Sequence, residues 1–198
     1  GSNSYWYSRN INSPIAAIKY SLIQPKTSLI VLSAKDQKKQ LYNGTDDFYN
    51  ALAVRQKIGK SQLSLYAYNR MDKKAAYNNE VASIMVSRQF WGNHLLSLEL
   101  GGSVTRDSLP ADYSSGSSGI LKYGFSNIKH TLDLSGKYID DSFRADMGNI
   151  SLKNRNTFNA TYTNYLNFPR SFISDFSNSL TAEYVSDHNT NDRIEAYL

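Results

Sequence analysis

A period of two runs through nearly the whole chain. From Pro14 to Gln24, Ala16, Ile18, Tyr20 and Leu22 fall on one side of the alternation and Ala17, Lys19 and Ser21 on the other. Successive strand residues point to opposite faces, so this pattern specifies a β-strand with two chemically distinct sides. The clearest hairpin follows. Leu52, Val54 and Ile58 alternate with Ala53, Arg55 and Lys57; Gly59-Lys60 turns the chain; Leu63, Leu65 and Ala67 then alternate with Ser64, Tyr66 and Tyr68. Two alternating runs joined by a two-residue Gly-X turn are the sequence signature of a hairpin. The design recurs at once. Ala82, Ile84, Val86 and Phe90 lead to Gly92-Asn93, and Leu96, Leu98, Leu100 and Val104 return, with Ser97, Glu99, Gly101 and Thr105 in the opposite phase.

The remaining segments repeat the theme. Leu121, Tyr123 and Phe125 share a phase, as do Ile128, His130, Leu132 and Leu134. Phe143, Ala145 and Met147 against Arg144, Asp146 and Gly148 predict a further strand. So do Phe158, Ala160 and Tyr162, the stretch 172–185, and Ile194, Ala196 and Leu198. Polar loops are expected over 36–47, around Asn43-Gly44, and over 106–118, rich in Ser and Gly. No amphipathic helix with a cap and a stop is visible. The reading is all-β: an antiparallel up-and-down meander of about eleven or twelve long strands, with 1–198 a single domain.

Such a meander can close as a transmembrane β-barrel, form part of a larger one, or fold in water as a sandwich or barrel. A mean hydropathy of −0.50 looks soluble, and no run approaches the roughly 18 apolar residues of a membrane helix. Barrels hide their hydrophobicity in alternation, so neither point counts against them. Three features favour the membrane. The strands are long. Tight turns (Pro25-Lys26, Gly59-Lys60, Gly92-Asn93) alternate with longer connections. Aromatics (Tyr42, Phe48, Tyr49, Phe90, Trp91, Tyr138, Tyr165, Phe168) gather near strand ends, as interfacial girdles do. No signal peptide opens the chain, and Gly1-Ser2 looks like the remnant of a cleaved tag, so a mature or excised piece is expected.

Certain short segments carry a resemblance. Tyr7-Ser8-Arg9-Asn10-Ile11 with Ser13-Pro14-Ile15, Ala53-Val54-Arg55-Gln56-Lys57-Ile58-Gly59-Lys60, Leu65-Tyr66-Ala67-Tyr68-Asn69-Arg70 and Ser142-Phe143-Arg144-Ala145-Asp146-Met147-Gly148 follow in the order of one known pattern. The chain resembles the barrel domain of the DUF5916 family of Bacteroidota outer-membrane proteins, whose members often carry a carbohydrate-binding family-9-like domain ahead of the barrel. The resemblance implies an outer-membrane location, a barrel that continues past Leu198, and glycan handling through a partner domain; it implies no defined chemistry.

The residues themselves offer little chemistry. There is no cysteine, hence no disulfide framework or thiolate metal site. His94, His130 and His188 have no ligand spacing, and no phosphate loop, nucleophile elbow or zinc motif occurs. No cofactor or metal is expected, and Asp140-Asp141 reads as a turn rather than a calcium site. The net charge of +5 is scattered apart from Lys35, Lys38 and Lys39, which points away from nucleic acid. Function is therefore expected from the polar phase: Arg55, Lys57, Arg70, Glu99, Asp133, Lys137, Arg144, Asp146 and Glu183 would face a barrel lumen. The leading expectation is a non-enzymatic outer-membrane anchor or pore module, partnered by the lipid bilayer and by other outer-membrane proteins or glycans. A soluble ligand-binding β-barrel or sandwich and an outer-membrane enzyme with a site at the rim are the alternatives.

Overall fold

The computed structural model describes residues 14–37, 46–72, 76–107, 112–146, 154–167, 175–187 and 190–197. Eleven strands form one sheet in chain order: β1 (Pro14–Ile23), β2 (Thr27–Gln37), β3 (Asp46–Ile58), β4 (Ser61–Asp72), β5 (Tyr77–Phe90), β6 (His94–Arg106), β7 (Tyr113–Ser126), β8 (His130–Ile139), β9 (Arg155–Asn167), β10 (Asp175–Asp187) and β11 (Thr190–Tyr197). Every neighbouring pair is antiparallel, as a meander requires. Among the described residues β1 pairs only with β2 and β11 only with β10, so the sheet is open rather than closed into a barrel. With eleven strands, β1 and β11 run in the same direction.

The turns set the register. Gly59 takes a φ of +60° between β3 and β4, a conformation that costs glycine nothing and suits the tight hairpin turns that match strand twist. Ile58 consequently pairs with Ser61, and all twelve partner pairs of this hairpin follow without a slip. Tight turns at 24–26, 59–60, 91–93 and 127–129 lie at one end, and the longer connections after β2, β6 and β8 at the other. The alternation fails beyond β9, where the connection at the tight end spans 168–174 and the one opposite spans only 188–189.

Two expectations are corrected. The stretch 113–118 is strand, not loop: Tyr113 to Ser118 pair in register with Gly101 to Arg106. Phe143 to Asp146 is not strand. It leaves the sheet after Ile139 and lies across one of its faces. The expected turn Asn43-Gly44, the girdle residues Tyr42 and Phe168, and His188 lie outside the described residues.

The alternation gives the sheet two unlike faces. On the first, termed the open face, Leu52, Leu65, Ile84, Leu98, Leu100, Leu121, Phe158 and Leu180 are all more than 40% exposed. On the second, the sheltered face, sit the buried residues of β2 to β7: Ala34, Asp36, Asp47, Tyr49, Ala51, Ser64, Tyr68, Asp72, Asn79, Val81, Ser83, Ser103, Thr105 and Ser118. Most of these are polar or small. The buried set is completed by Ile139 and Phe143, with Leu32, Ile120 and Ala145 packed against it.

Candidate functional site

The sheltered face is covered where the chain leaves β8. Asp140 accepts a hydrogen bond from the Ser142 amide through Oδ1 (2.9 Å) and from the Phe143 amide through its carbonyl (3.3 Å). That turn uses the local bonding for which aspartate is favoured, and it ends strand pairing. Residues Asp140 to Asp146 then run as a strap over β7, β6 and β5 toward β4. Phe143 is fully buried. It sits on Gly116 of β7, where a Cβ would collide with the Phe143 backbone nitrogen and Cα. Gly116 therefore has no side chain because a second layer of chain rests on it, with Ser114 and Ser118 beside it in the same phase.

A buried backbone must find partners for its N–H and C=O groups. For the strap these are side chains. Ser103 Oγ accepts from the Arg144 amide (3.0 Å). Asn79, wholly buried, donates to the Arg144 carbonyl (3.0 Å) and accepts from the Asp146 amide (3.1 Å), while Thr105 takes its other amide hydrogen (2.8 Å). One carboxamide thus stands in for a neighbouring strand.

The strap ends in an ionic hub. Asp146 accepts from Arg70 Nη1 (2.9 Å), from Arg144 Nε (2.9 Å) and from the Tyr77 hydroxyl. Arg70 reaches back through Nη2 to Asp47 (3.2 Å), which also receives the Tyr49 hydroxyl (3.2 Å). Both guanidinium groups lie over the Tyr77 ring, at 5.3 and 5.1 Å from its centroid, in cation–π range. Arg144 Nη1 extends to Asp107 (3.5 Å), a pair still partly open to solvent. Burial disfavours the charge on Arg144, but the charge and hydrogen bond of Asp146, with smaller contributions from Tyr77 and Asp107, outweigh it and hold its pKa above the ordinary arginine value. Behind the hub, Asp36, Asp47 and Asp72 stand side by side on β2, β3 and β4, in register.

Of the candidate lumen residues, Arg55, Lys57, Arg70, Glu99, Asp133, Lys137 and Glu183 occupy the sheltered phase of their strands, whereas Arg144 and Asp146 belong to the strap. The structure brings Arg70, Arg144 and Asp146 together. Glu99 accepts from Ser83 Oγ (3.3 Å), with Lys122 and Lys137 on the two strands beyond. Arg55, Lys57, Asp133 and Glu183 join no cluster with the hub. Sequence reading missed Asp47, Tyr49, Tyr77, Asn79, Ser103 and Gly116. Asp47 and Gly116 fall in stretches expected to be loops and Tyr49 in a girdle, and nothing local marks Tyr77, Asn79 or Ser103, because the strap that unites them alternates as a strand would. Tyr49, expected in a girdle, is instead 4% exposed beside Asp47.

The open face carries aromatics at both ends. At the tight-turn end His94 stacks on Phe90 and contacts Trp91, Tyr123 and Phe125, with Nδ1 2.7 Å from the Tyr123 hydroxyl. His130 repeats the arrangement, 2.8 Å from the Tyr162 hydroxyl. At the other end Lys35 lies over Phe48 and Arg106 over Tyr113. Among the described residues no group of three or more His, Cys, Asp or Glu side chains is arranged to hold a metal. No protein-family model, no curated protein and no solved structure matches the chain.

Proposed function

We propose that this chain forms the wall of a bacterial outer-membrane β-barrel, acting as an anchor or pore module rather than through bond chemistry. The observation that carries the reading is the reversal of polarity between the two faces. Eleven strands at about 4.8 Å spacing span roughly 48 Å. On β6 the apolar open-face positions run from Leu96 to Val104, about 27 Å along a strand at ~3.4 Å per residue. At the usual barrel tilt that is about 20 Å of height, of the order of the ~25 Å apolar band of such barrels. Width times length along the strands is about 1,300 Å², against a few hundred Å² for the largest apolar patch on a typical soluble monomer. A lipid environment makes this face favourable, and the rings at its two ends match interfacial girdles. The sheltered face supplies the hydrogen-bonded polar interior that goes with it. The family resemblance is consistent with this placement, and with glycan handling by an associated domain.

Trp91, 83% exposed at the border of the apolar band, provides the test. In a Trp6→Phe background its fluorescence should be quenched by lipids brominated near the headgroup, and unheated protein should migrate faster than heated protein on a gel. A detergent-free monomer that unfolds sharply, with Trp91 untouched by brominated lipid, would overturn the reading in favour of a soluble β-protein.

A further inference from the structure

We infer that the Asp140–Asp146 strap is the constriction of a solute passage along the sheltered face, with Arg144 and Asp107 presenting the charges that a solute meets there. The inference rests on the membrane reading and adds to it a place where passage is controlled. The strap is the one described segment that leaves the sheet to cross it, and its attachment is graded. Phe143 on Gly116 is its only fully buried apolar anchor. Apart from the partly buried Ala145 and the Arg144–Tyr77 ring contact, the tethers described are hydrogen bonds and ion pairs: Ser103 and Asn79 to its backbone, Arg70 and Tyr77 to Asp146. A segment meant only to fill the interior would be expected to bury more apolar side chains, whereas here Arg144 keeps 40% of its side chain exposed and faces Asp107 at 54%. Conduction and selectivity follow the groups lining the narrowest point. A strap that narrows the passage while aiming a charged pair into it is built for that role.

Gly116→Ala is the sharpest probe. The added methyl collides with strap backbone rather than with the end of a movable side chain, so the strap must lift while the open face is untouched. Asn79→Ala removes two of the three backbone tethers by a different route. Full-length wild type and the two variants would be reconstituted into planar bilayers of phosphatidylcholine and phosphatidylglycerol in potassium chloride, and each checked for the fast-migrating unheated band. Conductance should rise roughly two-fold or more in both variants, because the narrowest section dominates the resistance. The wild type has no cysteine, so Ala145→Cys reports strap position directly, and its maleimide labelling should speed up when combined with Gly116→Ala. Equal conductance and equal labelling in folded, inserted variants would overturn the constriction while leaving the membrane reading intact. Inserted protein that conducts in no form would do the same. Failure of the wild type to insert would remove both.

Discussion

Ser103 and Val104 are neighbours on β6, and their environments are opposite. The serine is 3% exposed and holds the strap through its hydroxyl; the valine is 47% exposed on the open face. The same inversion separates Asn79 from Ile84 on β5 and Tyr68 from Leu65 on β4. In water, apolar burial drives folding and would place the leucines and isoleucines inside. Here the sheltered face is held by directional bonds and the open face is apolar, the arrangement that the proposed lipid setting would favour. The comparison teaches that stability on the two faces answers to different forces, and each can be attacked separately.

The largest loss should come from the sheltered face. Arg70 bridges Asp47, whose side chain is fully buried, and Asp146, whose side chain is 9% exposed. Replacing one partner of a buried pair leaves the remaining charges uncompensated, at a cost of about 3–5 kcal/mol. Arg70→Met should therefore lower the urea midpoint of the bilayer-inserted protein by that equivalent and free the strap as well. If the midpoint moved by less than about 0.5 kcal/mol, as at an ordinary surface position, the hub would not be the keystone of this face.

Much of the fold was legible because strand alternation is a local property. The phase of Leu96, Leu98 and Leu100 can be read without knowing what β6 pairs with, and the Gly59-Lys60 turn fixes the β3–β4 register unaided. The strap was illegible for the complementary reason. Phe143-Arg144-Ala145-Asp146 alternates as a strand does, but Phe143 is matched to Gly116, some way back in the chain, and its backbone bonds go to Ser103 and Asn79. No local signal announces a side-chain partner on another strand. Gly116 illustrates the same point: a glycine that reads as turn composition reflects the need for room beneath the strap. Among the candidate site residues, phase alone placed Arg70, Glu99 and Lys137, but the partners Asp47, Tyr77 and Asn79 depended on a fold-back that phase does not encode.

A smaller effect is expected on the open face, and it sharpens the contrast between the two. Leu98 lies within the apolar band, one alternation from its midpoint at Leu100, and is 43% exposed. In a bilayer, Leu98→Arg puts a guanidinium into hydrocarbon at about 2–4 kcal/mol near the midplane. In water the same change would lie within about 0.5 kcal/mol. The adjacent Ser97→Arg, in the sheltered phase beside Lys122, should cost less than Leu98→Arg in a membrane. Urea unfolding in vesicles, read by the heat-modifiable band, ranks the two variants. A larger loss for the serine change would assign lipid to the wrong face.

The smallest effect belongs to the border between the two solvents. Tyr123 and Tyr162 each place a hydroxyl within hydrogen-bond distance of a histidine at the first residue of a strand, His94 and His130. If the tight-turn end lies among hydrated headgroups, water can take over each hydroxyl's bond when it is removed. Tyr123→Phe and Tyr162→Phe should then cost no more than about 0.5–1 kcal/mol, the net value of an ordinary hydrogen bond. The ring contacts around His94, with centroids 4.8–5.9 Å apart, survive the change because only an oxygen is lost. A dry site would behave otherwise: the stranded imidazole would raise the cost to about 1–3 kcal/mol, as for any buried polar group without a partner. Unfolding midpoints of the two variants therefore locate the water boundary along the open face. A small, equal loss in both places it at the level of His94 and His130, whereas a large loss moves it beyond the turns and makes the apolar band taller than the leucines alone imply.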